Sequence, residues 1–407
     1  MKLRELLKPV VIVAALGYFV DIYDLLLFNI VRIPSLQAIG LKGQELQMGA
    51  FLHNIQMIGM VFGGILWGVL GDKRGRLSVL FGSIILYSAA NLLNAFIVDF
   101  QQYAILRFFA GVGLAGELGA GVTLVAETLP KDLRGYGTTL VATVGVLGAV
   151  LAGIVADIFD WRVCYMIGGG LGFLLLLLRI GVHESGMFAE LKSKSDVARG
   201  NFGMLFSSKT RFVRYLRCIL IGVPVWYVIG ILVAFAPEFA RVLGATGEVK
   251  ASKSILFCYA GLSAGDFASG YLSQLLKSRL KPVLIFLGIC VLFSVIYFNA
   301  HGFSPEGIYA LCFGLGFGTG YWAVLVTIAV EQFGTNLRAT AGTTVPNFVR
   351  GSLVPVSLTF LAMKSSLGLI GSAALTGMVV FTIALFALRG LRETFGHDLD
   401  FNEVDAA

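Results

Sequence analysis

Charge is scarce in this chain: Asp, Glu, Lys and Arg make up 14% of its 407 residues, against roughly 25% in an ordinary soluble domain. So few charges cannot coat a water-soluble fold of this size, so lipid must be the solvent for most of the surface. Cysteine is sparse too, and Cys164, Cys218, Cys258, Cys290 and Cys312 all sit in apolar runs without paired spacing. That excludes a disulfide framework and indicates no metal site. No H-E-x-x-H string or nucleophile–base pair occurs, so no enzyme chemistry and no cofactor is implied. Segments of about ten residues alternating apolar and polar, the mark of a membrane β-barrel, are missing. Long polar regions are also missing: the ends and one central linker offer only about 18 to 32 residues, too few for the output domain of a sensor.

What is plentiful is apolar sequence, at 57% of residues and a mean hydropathy of +0.85. Segments long enough to cross a hydrocarbon core of roughly 30 Å as helices recur near 9–32, 48–70, 77–97, 102–126, 138–157, 163–180, 213–237, 252–276, 282–299, 307–330, 341–363 and 369–389. Lys2, Arg4 and Lys8 precede the first run as they would in a secretion signal. The run continues through Asp21 and Asp24 to Ile33, however, which predicts a retained helix. Of the 31 basic residues, 22 fall in the tails and connections on one side and seven on the other, so both termini are expected to be cytoplasmic. The net charge of +7 then reports topology and not a nucleic-acid partner.

The polar stretch 181–212 divides the spans six and six, and the halves echo one another. AETLPKDLRGYGTTL from Ala126 returns as VEQFGTNLRATAGTT from Val330, and GVLGDKRGR at Gly68 returns as GYLSQLLKSR at Gly270. The fold class expected is therefore an all-α membrane protein of twelve transmembrane helices in two pseudo-symmetric six-helix bundles. Residues 1–180 form the first bundle, 181–212 a cytoplasmic linker, and 213–407 the second bundle with a short cytoplasmic tail. A solute site between such halves, near the bilayer midplane, is the physical reading of the duplication. Pro224, Pro346 and Pro355 remove backbone donors inside spans and predict kinks.

The string Gly68 to Arg76 resembles the signature between the second and third helices of the major facilitator superfamily. Within that superfamily, three further stretches are similar to the metabolite:proton symporter group, which includes carriers of carboxylates, proline and betaines. They are Gly17 to Asp24 (GYFVDIYD); Arg107 to Gly111 with Gly116-Glu117, Glu127, Pro130, Arg134 and Gly135; and Glu184 to Phe188. The sequence departs from the group at Asp21, where Glu is usual, at Ile22, where Trp is usual, and at Gln274, where the second-half echo would carry an acid.

Ionised side chains at the bilayer centre cost roughly 2.5 to 3.5 kcal/mol even on insertion scales, so charges inside spans mark function. Asp21 and Asp24 lie three residues apart on one helix and can face one cavity. With Glu117 they are the proton-coupling candidates, each against an orienting role beside an Arg. Arg350 and Arg107 are candidates for a substrate carboxylate, because a guanidinium offers a planar fork that matches it. Tyr23, Trp226, Tyr227, Tyr321, Trp322, Asn347 and Asp266 complete the substrate-site candidates, and His53 reads as a hydrogen-bonded structural residue. Asp72, Arg76, Glu127 with Arg134, and Glu331 with Arg338 are expected to form a cytoplasmic gate.

The expected function is secondary active transport by alternating access: proton-coupled symport of a small carboxylate-bearing or zwitterionic metabolite. Its partners are that solute, protons and the lipid bilayer, with the carrier a monomer in a bacterial inner membrane. A carrier of a cation or metal chelate is the alternative within transport. A non-transporting membrane sensor or enzyme is the alternative from another class.

Overall fold

The structure, a computed structural model, describes residues 8–129, 133–180, 202–396 and 403, and among these the regular structure is entirely helical. The first half comprises α1 (Pro9–Ala38), α2 (Glu45–Arg74), α3 (Arg76–Asn94), α4 (Phe100–Leu114), α5 (Glu117–Thr128), α6 (Arg134–Val146), α7 (Gly148–Ile158) and α8 (Trp161–Leu178). The second comprises α9 (Lys209–Leu220), α10 (Val223–Tyr227), α11 (Ala236–Val242), α12 (Ala251–Leu275), α13 (Leu280–Phe298), α14 (Pro305–Thr319), α15 (Trp322–Glu331), α16 (Thr335–Gly351) and α17 (Leu353–Arg389). A π-helical segment, Val228–Val233, continues α10 toward α11.

Among the described residues, ten stretches are long and apolar enough to cross a membrane. One of them, Thr340–Arg389, has 50 residues, about 75 Å as a straight helix. It breaks at Gly368, whose φ of 68° suits glycine and turns the chain back for a second pass. α12 supplies the twelfth pass although it is too polar to qualify by composition, carrying Lys253, Asp266 and five serines. Those serines and Asp266 are buried against protein, so lipid never meets them.

The expected spans therefore exist, but several are broken. α4 bends into α5 at Ala115-Gly116, α6 into α7 at Leu147, α9 into α10 just before Pro224, α14 into α15 at Gly320-Tyr321, and α16 into α17 at Ser352, just before Pro355. Pro346 sits inside an unbroken α16. Residues 181–201 of the linker lie outside the described residues, and Phe202–Leu205 form a 3-10 turn leading to α9.

The duplication is visible in the packing. A Cβ on Gly59 or Gly63 of α2 would strike the backbone of α4 at Phe108 and Val112. Gly261 and Gly265, each 202 residues later, meet the α14 backbone at Phe313 and Phe317 in the same way. Small residues at these crossings let helices touch main chain to main chain, which is how spans associate when lipid supplies no hydrophobic drive. Between the halves, α2 lies along α16, with Gly64 against Asn347, and α7 lies along α12, with Gly153 against Leu256.

Candidate substrate site between the halves

A cavity sits where α1 and α6 of the first half meet the second half. Tyr18, Ile22 and Val146 line one side; Trp226, Tyr259, Trp322 and Arg350 line the other. Arg350 is buried near the end of α16, a helix whose polarity is tolerable because α2, α5 and α9 cover it. Its guanidinium carbon lies 5.7 Å from the Trp322 ring and 6.0 Å from the Trp226 ring, so the charge is held between two indole faces. Nη1 donates to Asn347 Oδ1 at 3.3 Å. Asn347 is itself fixed across the interface, its Nδ2 donating to the Ala115 carbonyl at 2.9 Å.

Asp21 of α1 faces Arg350 from the opposite half, Oδ2 to Nη2 at 4.0 Å. That is an ion pair without a hydrogen bond, and neither Asp21 oxygen has a hydrogen-bond partner. Trp322 Nε1 donates to the Tyr18 hydroxyl at 3.2 Å, a second link across the cavity. The arrangement is one cation and one anion, incompletely joined, in an aromatic enclosure.

The other intramembrane charges are held within single halves. Asp24 is fully buried behind Asp21, beside Gly168, and both its oxygens lack hydrogen-bond partners. Arg107 donates to Asn91 Oδ1 at 3.0 Å and to the Tyr165 hydroxyl at 3.3 Å, and it stacks on Phe28 and Tyr165. Tyr165, Tyr103 and Ser35 continue this chain of hydroxyls. Glu117 forms a buried ion pair with Arg179, which also donates to the Leu80 carbonyl at 2.7 Å. Asp266 lies behind the cavity wall and not on it, accepting from the Ala323 amide at 2.9 Å.

Of the aromatic candidates, only Trp226 and Trp322 line the cavity. Tyr23, Tyr227 and Tyr321 point elsewhere, because their hydroxyls are claimed by the carbonyls of Cys164, Ala373 and Ile221 at 3.0, 2.7 and 2.9 Å. His53 packs edge-on to Trp226, and its Nε2 lacks the hydrogen bond expected of it. Tyr18 and Tyr259 were missed. Tyr18 stands in the same string as Asp21, three residues earlier, so helical spacing from Asp21 would have found it.

Polar clusters lie at the two ends of the bundle, one joining the halves and the other formed within the second half. At the end away from the termini, Arg32 joins Glu238 across the halves at 2.7 Å, and Ser252 donates to Asp157 at 2.7 Å. Arg32 also donates to the Glu45 carbonyl and stacks 4.8 Å over Phe235. At the end that holds the termini, Glu331 pairs with Arg279 at 2.9 Å and not with Arg338, because the α12–α13 turn brings Arg279 beside it. Thr394 donates to the same carboxylate. Glu393 accepts from the Ser278 hydroxyl and from the amides of Arg279 and Leu280, capping α13. Burial pushes the Glu393 carboxyl up, but these bonds outweigh it and hold it below the usual glutamate range. The side chains of Asp72, Arg76, Glu127 and Arg134 lie outside the described set.

Residues 14–353 match the Major Facilitator Superfamily, and the chain belongs to that family of membrane carriers. It is 27% identical over 370 residues to the 3-(3-hydroxy-phenyl)propionate transporter of Escherichia coli, covering 86% of each chain. It is 27% identical over 391 residues to the cis,cis-muconate transport protein of Acinetobacter baylyi, covering 92% of this chain and 90% of the other. The fold superposes on the proton:xylose symporter XylE with a TM-score of 0.74 at 16% identity, covering 96% and 97% of the two chains. The protein is thus a multi-pass membrane transporter of small metabolites and not an enzyme.

Proposed function

We propose that the protein is a proton-coupled symporter of a small monocarboxylate with a planar, unsaturated or aromatic body, working by alternating access. The observation that carries this is the loose Asp21–Arg350 pair, set between Trp226 and Trp322 at the junction of the halves.

A charge balance gives the coupling. Empty, the site pairs Arg350 on the cavity wall with Asp21 beside it and is neutral. An anion arriving at Arg350 leaves one uncompensated negative charge, and two like charges about 4 Å apart repel by roughly 4 kcal/mol at an effective dielectric of 20. A proton on Asp21 removes that repulsion and frees the guanidinium fork for the substrate. One proton therefore travels with one carboxylate. Arg350 is the one cation among the described residues that line the cavity, so a second carboxylate would lack a partner, whereas a planar ring would stack on an indole once the halves part. The name of the Escherichia coli relative describes such a compound, one aromatic ring with one carboxylate.

The cluster away from the termini supports alternating access, because it is the one that joins the halves. Arg32–Glu238 would close the outer side, the termini being cytoplasmic, and rocking of the halves would break it as the inner side closes. Glu117, Arg107 and Asp24 support α1 within its half, with Asp24 a second proton acceptor beside Asp21.

The test is uptake into proteoliposomes with and without an imposed inward proton gradient, using benzoate-type acids, muconate-type diacids, proline and xylose. Gradient-driven accumulation of the aromatic monoacids is expected. Preference for the diacid or the neutral sugar would sink the substrate reading, and uptake indifferent to the proton gradient would sink the coupling.

A further inference from the structure

α15 begins midway along Pro305–Glu331, an apolar stretch long enough to span a membrane. At Gly320 (ψ 38°) and Tyr321 (φ −107°, ψ 15°) the chain leaves helical geometry, and α15 restarts at Trp322. A helix start exposes backbone N–H groups with no intrahelical partner, and in hydrocarbon no water is at hand to take them. The flanking residue, Tyr321, makes no side-chain cap. The acceptor comes instead from another helix: Asp266 of α12, whose Oδ1 takes the Ala323 amide at 2.9 Å. Gly265 and Gly320 make this possible, since their backbones touch so closely that a Cβ on Gly320 would strike the Gly265 main chain. A carboxylate at a helix N-terminus also complements the positive end of the helix dipole.

The capped residue's neighbour is Trp322. Its ring covers Arg350, and its Nε1 reaches Tyr18 on the other half. Asp266 does not line the cavity, yet it is fully buried and bonded to the amide that follows this indole in the chain.

We propose that Asp266 is the positioning residue of the site: it fixes the restart of α15 and thereby holds Trp322 against Arg350 and the substrate. This rests on the cavity at Arg350 being the substrate site. The role requires an acceptor atom, not a charge. Asn ranks with Asp as a cap, so Asp266→Asn keeps the bond to Ala323, whereas Asp266→Ala removes it.

Two measurements on the full-length protein test this. The first is the emission of Trp322 in substrate-free protein, taken as the difference between each Asp266 variant and the same variant carrying Trp322→Phe. The second is the KM and Vmax of gradient-driven uptake of benzoate. Asp266→Ala should shift the Trp322 emission to the red and raise KM about tenfold with Vmax little changed, while Asp266→Asn restores both. Adding Trp322→Phe to Asp266→Ala should raise KM little further. If Asp266→Ala is lost from the membrane, Asp266→Glu misplaces the acceptor by one methylene, and the same readouts apply. An unmoved Trp322 emission in the Ala or Glu variant overturns the proposal. So does loss of accumulation in Asp266→Asn, which would make the carboxyl itself a proton or substrate group. A shifted emission with unchanged KM would keep the positioning role and remove the cavity as the substrate site.

Discussion

Replacing Asp21 by Asn makes permanent the neutral state that the coupling argument requires only when substrate is bound. The carboxylate of Asp21 competes with the substrate for Arg350 from 4.0 Å. Removing a charge at that distance is worth at most about 4 kcal/mol at an effective dielectric of 20, and part of that is returned by relaxation. Substrate binding is therefore expected to tighten about ten- to a hundredfold at pH 8 and to lose its pH dependence. The wild type, which binds a proton with the anion, weakens as pH rises. Transport should split accordingly. Exchange of labelled for unlabelled substrate survives in Asp21→Asn, because the site still alternates when loaded. Accumulation against a gradient disappears, because no proton can be released inside. Isothermal calorimetry at pH 6 and pH 8, with exchange and accumulation in the same proteoliposomes, measures all three. Binding that still weakens with pH in Asp21→Asn, or accumulation equal to wild type, would refute the charge balance and move the proton to Asp24 or Glu117.

Arg350→Lys should weaken substrate binding about tenfold and Arg350→Ala about a hundredfold, since an ammonium cannot reproduce two parallel hydrogen bonds; normal affinity in a destabilised protein would make Arg350 an anchor only. Glu238→Gln removes the charge that pairs with Arg32 across the halves, so cysteines placed along the outer half of the cavity should react faster with a membrane-impermeant maleimide; an unchanged rate would remove this pair from the gate. Glu393 is held below the ordinary glutamate range, so its stabilisation is complete above about pH 4.3 and fades as pH falls through its lower folded value. Glu393→Gln should therefore lower the melting temperature in detergent at pH 7, with the gap closing toward pH 3; a gap independent of pH would assign the loss to packing.

The passes were legible because hydropathy and length are properties of single segments, and the duplication because two strings recur at nearly one offset. The breaks were less so. Gly320 and Tyr321 interrupt a run that reads as one apolar helix from 307 to 330, and the carboxylate that accepts from the restarted helix, Asp266, lies far away in sequence. Within the site, Asp21, Arg350, Trp226 and Trp322 could be nominated because charge and large aromatics are conspicuous in apolar spans. Which aromatics turn inward depends on which carbonyl lies within reach of each hydroxyl, and this diverted Tyr23, Tyr227 and Tyr321. The partner of Glu117 was hidden for a related reason. Arg179 stands at the end of a span, where it reads as an orientation signal, and only the packing of both α5 and α8 on α1 and α3 turns it into an ion-pair partner.

The polarity of α12 bears on how the chain is made. Released alone from a ribosome into a translocation channel, a segment with Lys253, Asp266 and five serines gains too little from lipid to partition into it. Its natural shelter is α14, whose backbone it touches at Gly261 and Gly265, and α14 is synthesised only after α13 has followed. α12 should then wait beside the channel and enter the bilayer with α14 as a unit. Nascent chains truncated after Phe298 would leave α12 reachable by a lumenal glycosylation tag, and chains extended past Glu331 would not; equal tagging of both lengths would show that α12 inserts unaided.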